Sequence, residues 1–264
     1  MKKLFLLLPL LSIFTACDSV DENDRYIQVE EIQVARKVLL EEFTGQRCVN
    51  CPAAHQIIER LQEQYGDDLV VVSVNAGQFG IKSPAGLMTD EGNAYADYWN
   101  VTAYPAAVVD RTSGVISADL WATYIREEAG KDTQLEIDLK AELSEDGNTI
   151  YIHTELLSSQ GLNGNLQLWV TQDNIVGLQF DGDDRLTDYV HNNVFRAYVN
   201  GQWGEAINLS ANVRQDFDSS IAVQYDEGHP MANWVPENLN IVGFVYTSSG
   251  VIQVEKVKVD IERQ

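Results

Sequence analysis

The sequence of 264 residues predicts an α/β domain followed by an all-β domain. In residues 36–130, continuous apolar runs alternate with segments whose apolar residues recur every three or four positions, which is the period of a helix. In residues 133–264, apolar and polar residues alternate instead, and turn-forming residues separate the short runs. A chain of this length commonly divides into two domains, which agrees with that change of pattern.

The N-terminus has the features of an export signal. Two lysines precede the apolar run 4–14, which is shorter than the roughly 20 residues that span a bilayer. Small residues then stand before Cys17, and the segment IFTAC resembles a lipobox, in which the cysteine is acylated. We expect residues 1–16 to be a cleaved signal peptide and Cys17 to hold the protein to a membrane by its lipid. The alternative is an ordinary signal peptide with an incidental cysteine.

The charge of the chain excludes one class of partner. It contains 18 Lys plus Arg and 40 Asp plus Glu, for a formal net charge of −22. Removal of residues 1–16 takes away two positive charges and leaves about −24, and a field of that sign repels nucleic acid. Residues 17–35 include the acidic run 18–25 and are expected to form a lipidated, flexible tether.

The α/β part has a clear order of elements. VLLEEF (38–43) predicts a strand, an apolar period of three and four residues after Pro52 predicts a helix, and LVVVSV (69–74) predicts a buried parallel strand. Further elements follow as a helix from 89, a strand at 106–109, an edge at 115–116 and a helix at 118–129. The order β-α-β-α-β-β-α is that of the thioredoxin fold.

The positions of four residues strengthen this resemblance to thioredoxin. Cys48 and Cys51 form a CxxC pair between the first strand and its helix. Pro105 opens the third strand, where thioredoxins have a cis proline, and Glu42 occupies the place of their buried carboxylate. The resemblance implies that these four residues form a catalytic site and that the bond before Pro105 is cis. The sequence departs from the thioredoxin pattern at Arg47, where a Trp is usual, and in the Val-Asn pair between the cysteines.

The position of the cysteines also predicts their chemistry. A thiol at a helix N-terminus is favoured as thiolate, so Cys48 is expected to be the attacking sulfur and the more exposed and more acidic of the two, and Cys51 the buried resolving thiol. Glu42 could exchange a proton with Cys51 if it is buried; otherwise it is a solvated strand residue. The alternative for the pair is an inert, permanently oxidised surface disulfide. Cys48, Cys51 and His55 could together bind a metal, but a structural zinc needs four ligands, so we expect neither metal nor cofactor.

The second half predicts an antiparallel, immunoglobulin-like β-sandwich without catalytic residues. LEIDLKAEL (135–143) alternates strictly, and Asp-Gly-Asn at 146–148 is a hairpin signal. Further strands are expected at 149–157, 166–170, 221–225, 239–246 and 254–261. Trp169, Trp203 and Trp234 could line a ligand groove, although sandwich cores also contain Trp routinely.

Three segments resemble a known family. FTGQRCVNCPAAH (43–55), YPAAVVDR (104–111) and DYVHNNVFR (188–196) are similar to the thioredoxin-like outer-membrane lipoproteins of Bacteroides-type bacteria, whose founding member is named as a twenty-eight-kilodalton outer membrane protein. The resemblance implies a place in the outer membrane of the cell envelope. The acidic run after Cys17 also resembles signals that send such lipoproteins to the cell surface.

Two functions are compatible with these features. In the first, the protein is an envelope thiol–disulfide oxidoreductase that acts on protein dithiols or disulfides. In the second, it is a non-catalytic surface lipoprotein for binding or assembly. The intact CVNC segment and Pro105 favour the first function, and Arg47 and the unusual intervening pair favour the second.

Overall fold

The computed structural model describes residues 34–261, and all of these belong to one compact unit. The predicted signal peptide, Cys17 and most of the predicted tether lie outside the described residues. No helix among residues 34–261 is long and apolar enough to cross a membrane.

The first half contains the predicted elements in the predicted order. They are β1 (Val38–Thr44), α1 (Cys51–Tyr65), β2 (Leu69–Asn75), α2 (Asp90–Tyr98), β3 (Ala106–Val109) and α3 (Trp121–Ala129). Strand β1 is parallel to β2 and antiparallel to β3. An isolated bridge between Ala107 and Ile116 continues the sheet beyond β3. Short 3-10 turns occur at Gly66–Asp68, Gly77–Phe79 and Ala118–Leu120.

Strand β1 is buried on both faces because helices or other layers cover each side. Leu40 packs with Ile58 of α1 and Ile125 of α3 in one buried cluster. Phe43 packs with Tyr95 of α2 in a second cluster on the other face. Successive side chains of a strand point to opposite faces, so an unbroken apolar run is what such a central strand requires.

The second half contains strands and two further 3-10 turns, Pro230–Ala232 and Pro236–Asn238. The strands are β4 (Leu135–Leu143), β5 (Thr149–Ser158), β6 (Leu162–Gln172), β7 (Ile175–Asp181), β8 (Asp184–His191), β9 (Val194–Tyr198), β10 (Glu205–Leu209), β11 (Gln215–Ala222), β12 (Leu239–Thr247) and β13 (Gly250–Lys258). The strands β4, β5 and β11 form a three-stranded sheet, and β7 and β8 form a separate hairpin. Ile137 and Ile152 of the three-stranded sheet share a buried cluster with Leu168 of β6 and Ile241 of β12, so two sheet layers enclose this core.

The two predicted domains share a sheet. The eight-stranded sheet has the order β13-β12-β6-β9-β2-β1-β3, with β10 also paired to β6. Strand β9 joins the halves, because it pairs with β6 and also with β2, where the Ser73 amide donates to the Asn193 carbonyl at 2.7 Å. A sheet therefore crosses the domain boundary that the sequence predicts between 130 and 133. Alternating polarity marks a strand but does not identify a distant partner, which is why this pairing was not predicted.

Candidate redox site

Cys48 and Cys51 form a disulfide at the start of α1, with their Cα atoms 5.4 Å apart. The Cys48 amide donates to the Gly45 carbonyl at 2.9 Å, which closes the turn between β1 and the helix. Pro52 follows in the first helical turn, where a missing amide proton costs nothing. The disulfide therefore lies at the positive end of the helix dipole, as the sequence predicts.

Both cysteines are buried in this oxidised form. Cys51 is fully buried and Cys48 is 2% exposed, so the predicted order of exposure is kept, but the Cys48 sulfur is closed to direct attack. The reason is the β7–β8 hairpin, residues 175–191, which lies against the cysteine turn. We refer to this hairpin as the cap.

Hydrogen bonds hold the cap on the cysteine turn. The side-chain amide of Gln179 donates to the Cys48 carbonyl at 3.1 Å. The Phe180 amide donates to the Gln46 carbonyl at 2.8 Å, and the Gly182 amide donates to the Val49 carbonyl at 3.2 Å. The cap thus hydrogen-bonds to the backbone of the turn at Gln46, Cys48 and Val49.

Pro105 lies directly before β3, and the Tyr104–Pro105 bond is cis, as predicted. Tyr104 packs edge-to-face against Phe79, with ring centroids 5.7 Å apart. A second cis bond, Ser83–Pro84, was not predicted.

Glu42 is fully buried in β1, which excludes the alternative of a solvated strand residue. The Ser73 hydroxyl donates to its Oε2 at 2.6 Å. Its Oε1 lies 3.1 Å from His55 Nε2, close enough for an ion pair, although no group near Oε1 has hydrogen-bonding geometry. His55 Nε2 is also 3.1 Å from the Thr44 hydroxyl. Among the described residues, His55 is therefore the side chain placed to balance the negative charge of the buried Glu42 carboxylate.

His55 connects this carboxylate to the cap. Its Nδ1 is 2.6 Å from the Tyr189 hydroxyl of β8. Burial lowers the pKa of His55, but Glu42 and, more weakly, Glu59 raise it, and the net pKa lies above the usual 6.5. Burial and the charge of Glu42 raise the pKa of Tyr189 to about 12, so its hydroxyl keeps its proton at neutral pH. The result is a continuous polar chain from Glu42 through His55 to Tyr189.

A second histidine nearby has the opposite shift. His191, also in the cap, is 5% exposed, and its Nε2 lies 3.2 Å from the Leu178 carbonyl. Burial and the neighbouring His55 lower the pKa of His191 to about 4, so it is neutral near pH 7.

The sequence points to His55 only as a possible metal ligand. Among residues 34–261 no group of three or more histidine, cysteine or carboxylate side chains is placed to hold a metal ion. His55 contacts Glu42 and Tyr189 instead, and Tyr189 is 134 residues away along the chain. Cys51 and His55 are four residues apart in a helix and therefore on the same face. This spacing is the one local sequence feature that indicates where His55 lies.

The model of the Omp28 outer membrane protein family matches residues 92–263, which is more than half of the chain. The chain belongs to this family. The resemblance read from the sequence is confirmed, and with it the outer-membrane location. No curated protein matches the sequence of this Omp28-family chain.

Solved structures extend the likeness to the fold. HBP35 of Porphyromonas gingivalis superimposes with a TM-score of 0.63 at 13% identity, covering 87% of this Omp28-family chain and 77% of HBP35. A protein of Agrobacterium tumefaciens from a structural genomics programme has a TM-score of 0.49 at 14% identity, with 88% of this chain and all of that chain covered. At these identities the first likeness supports a mixed α/β and β architecture and nothing about activity.

Proposed function

We propose that this Omp28-family protein is a thiol–disulfide oxidoreductase of the cell envelope. The observation that carries the proposal is the Cys48–Cys51 disulfide at the start of α1. Its setting, between β1 and α1 with Glu42 buried in the same strand, supports redox exchange over a passive crosslink. A crosslink over so short a loop constrains the unfolded chain little, so stability gives a weak reason for it.

The proposed reaction oxidises a dithiol in a substrate protein. A substrate thiolate attacks Cys48 Sγ, a mixed disulfide forms, and the Cys51 thiolate leaves. A second substrate thiolate then attacks the substrate sulfur of the mixed disulfide, which releases the Cys48 thiolate. Two electrons pass to the pair, and the substrate becomes the disulfide. The reverse sequence reduces a substrate disulfide.

Glu42 and His55 have a positioning role in this proposal. His55 is four residues after Cys51 in α1 and therefore on the same face of the helix. A raised pKa keeps part of His55 protonated near neutral pH, and its charge favours the leaving Cys51 thiolate. Glu42 supplies the negative charge that raises that pKa.

The cap must move before exchange takes place, because Cys48 is 2% exposed beneath it. A hydrogen bond contributes about 0.5–1.5 kcal/mol net, so the contacts to the cysteine turn amount to a few kcal/mol. Local openings of that free energy occur in folded proteins without global unfolding. The proposal is therefore a gated oxidoreductase.

Two cysteine variants test the reaction. With the wild-type protein and a reduced model protein, we expect oxidation of the model protein and reduction of Cys48–Cys51. With a model protein that contains a disulfide, Cys51→Ser should accumulate a mixed disulfide, because the Cys48 thiolate attacks one substrate sulfur, the other substrate sulfur leaves as a thiolate, and no resolving thiol remains. The mixed disulfide is visible by non-reducing electrophoresis and mass spectrometry. Cys48→Ser should form none and is the matched control.

A different outcome would favour the second function. If Cys51→Ser traps no partner even when the cap is destabilised, the pair is a buried structural disulfide. The burial of Cys48 is the observation that favours a non-catalytic binding or assembly lipoprotein.

We also propose that the protein is anchored by a lipid on Cys17 after removal of residues 1–16, and that it faces the cell surface. The apolar run 4–14 and the small residues before Cys17 support the anchor, and the acidic run 18–25 supports the surface location. Mass spectrometry of the native mature protein should find a diacylglyceryl group on Cys17. An unmodified Cys17 would contradict the anchor.

We infer further that β4–β6 and β10–β13 form an immunoglobulin-like sandwich. Without β7–β9, the remaining strands in chain order are β4, β5, β6, β10, β11, β12 and β13. The first, second and fifth of these form the sheet β11-β5-β4, and the other four form β13-β12-β6-β10. This partition supports the assignment. The cap and β9 are then an insertion between the third and fourth strands of the sandwich, β6 and β10. The cap is the part of this insertion that contacts the cysteine turn.

A further inference from the structure

Trp203 has a different environment from the other two tryptophans that were ligand candidates. Trp169 and Trp234 are buried, at 0% and 6% exposure, and belong to the core. Trp203 is half-buried and lines an open groove of about 790 Å³ together with Tyr98, Trp99 and Tyr246. Ligand pockets of proteins commonly have volumes of about 300–1,000 Å³ and aromatic walls.

The aromatic residues form a fixed platform. The rings of Tyr98 and Trp203 have centroids 4.4 Å apart, and those of Tyr98 and Trp99 are 5.1 Å apart. The Trp203 carbonyl accepts from the Asn165 side-chain amide at 3.2 Å and from the Tyr246 hydroxyl at 2.6 Å. Tyr98 is nevertheless 62% exposed. A rigid, exposed aromatic surface loses little entropy on binding, which favours a ligand with an apolar face.

The groove carries almost no net charge. Among the described residues that line it, Arg111 is the charged one, and its guanidinium pairs at 2.8 Å with the buried carboxylate of Glu41. The same guanidinium stacks on Tyr246, 4.4 Å from the ring centroid. None of these lining residues is acidic, although the chain contains 40 acidic residues. The groove therefore matches an uncharged ligand better than an ionic one.

The polar atoms of the groove wall specify the hydrogen bonding of that ligand. Arg111 Nη2 and Trp99 Nε1 are buried donors without a partner. Asn163 and Ser248 are exposed in the wall, and an amide and a hydroxyl both donate and accept. A matching ligand has an apolar face for the rings and groups at its edge that both donate and accept hydrogen bonds.

We propose that this groove binds a neutral saccharide chain. The rings of Tyr98 and Trp203 are inclined by 54°, so the C–H faces of different pyranose rings of the chain stack on them. The equatorial hydroxyls donate to and accept from Asn163 and Ser248. A proline-rich peptide also fits aromatic grooves, but proline has no amide proton and offers carbonyl acceptors only. This site is independent of the proposed redox reaction.

The test uses the full-length protein in a detergent without a sugar headgroup. Maltohexaose, cellohexaose, mannohexaose and xylohexaose are titrated, with tryptophan fluorescence and calorimetry as readouts. We expect at least one of them to bind with a Kd below about 1 mM. Tyr98→Ala should weaken that binding at least about tenfold, and Trp203→Tyr should retain more binding than Trp203→Ala. Tyr225→Ala is the matched control, because Tyr225 is 75% exposed and does not line the groove.

Three results would overturn the proposal. The first is no binding of any of the four hexasaccharides up to about 10 mM. The second is binding that Tyr98→Ala leaves unchanged while circular dichroism shows a folded variant. The third is binding of decaproline, but of no hexasaccharide, which would assign the groove to peptides.

Discussion

At the scale of single residues, the polar chain from Glu42 through His55 to Tyr189 is one of the connections between the first half of the protein and the cap. Cys48, Cys51 and Pro105 are recognisable because their positions relative to strands and helices can be read locally. The burial of Glu42 follows from its place in a strand that is buried on both faces. The contact of His55 with Tyr189 depends on the fold of a hairpin far along the chain, so no local pattern indicates it.

The pKa values of two neighbouring histidines should be shifted in opposite directions from 6.5. We expect His55 to titrate above pH 6.5 and His191 at about pH 4 in imidazole ¹⁵N NMR spectra of the folded protein. Glu42→Gln should lower the pKa of His55, because the carboxylate is the group that raises it. His153 is half-buried in the three-stranded sheet and lies 2.7 Å from Asp218, so its unchanged titration in that variant is the control.

These pKa shifts make the two histidines contribute oppositely to the pH dependence of the free energy of unfolding. The contribution of His55 to the free energy of unfolding is complete below pH 6.5 and is lost as pH rises through its higher folded pKa. His191 acts the other way, since its folded pKa of about 4 lies below the unfolded value. Its contribution is present above pH 6.5 and is lost as pH falls towards 4, by on the order of 3 kcal/mol. A His191→Gln protein whose urea stability still falls as steeply as that of wild type over this range would contradict the assignment.

At the scale of elements, the cap is the feature that changes the functional interpretation. Residues 175–191 lie within the segment that was expected to form a sandwich without catalytic residues, and no strand was predicted there. Strands β7 and β8 instead occupy this segment, and they pair with each other and with the backbone of the cysteine turn. The Gln179 amide also contacts the Gly45 carbonyl at 3.4 Å, so one buried side chain serves both ends of that turn.

Loosening the cap should expose the disulfide. We expect Gln179→Ala to increase the rate of Cys48–Cys51 reduction by dithiothreitol about five- to thirtyfold, which corresponds to loss of about 1–2 kcal/mol of cap stability. The rate is measured by quenched alkylation and mass spectrometry. Gln160→Ala, at an exposed glutamine outside the cap, should react at the wild-type rate. Equal rates for both variants would show that reduction does not require cap opening.

At the scale of the whole molecule, the order of elements was predictable and their association was not. Hydrophobic periodicity located the helices, the strands of the first half, and β4–β6, β12 and β13 of the second half, because each period is a local property of the chain. It predicted no strand over β7–β10, and the strand expected at 221–225 overlaps only the end of β11, Gln215–Ala222. The joining of the halves rests on distant partners. Strand β9 bridges β2 and β6, and Arg36 pairs with Asp110 at 2.7 Å while its Nη1 donates to the Ile252 carbonyl at 2.6 Å.

Residues 133–264, which are predicted to fold independently, contain one complete core cluster and share another with the first half. One core cluster, which includes Leu135, Leu168 and Ile241, is built wholly from this segment, so we expect the isolated fragment to fold. A second cluster places Trp169 and Phe244 against residues of the first half, and those contacts would be lost.

The fragment should therefore show β-sheet circular dichroism, a lower Tm than the full chain, and stronger binding of the dye ANS, which reports exposed apolar surface. The full-length protein under the same conditions is the reference. A fragment with the spectrum of an unfolded chain would mean that the shared sheet, and not a separate sandwich core, stabilises this half. A fragment with the Tm of the full chain would mean that the contacts across β9 contribute little to stability.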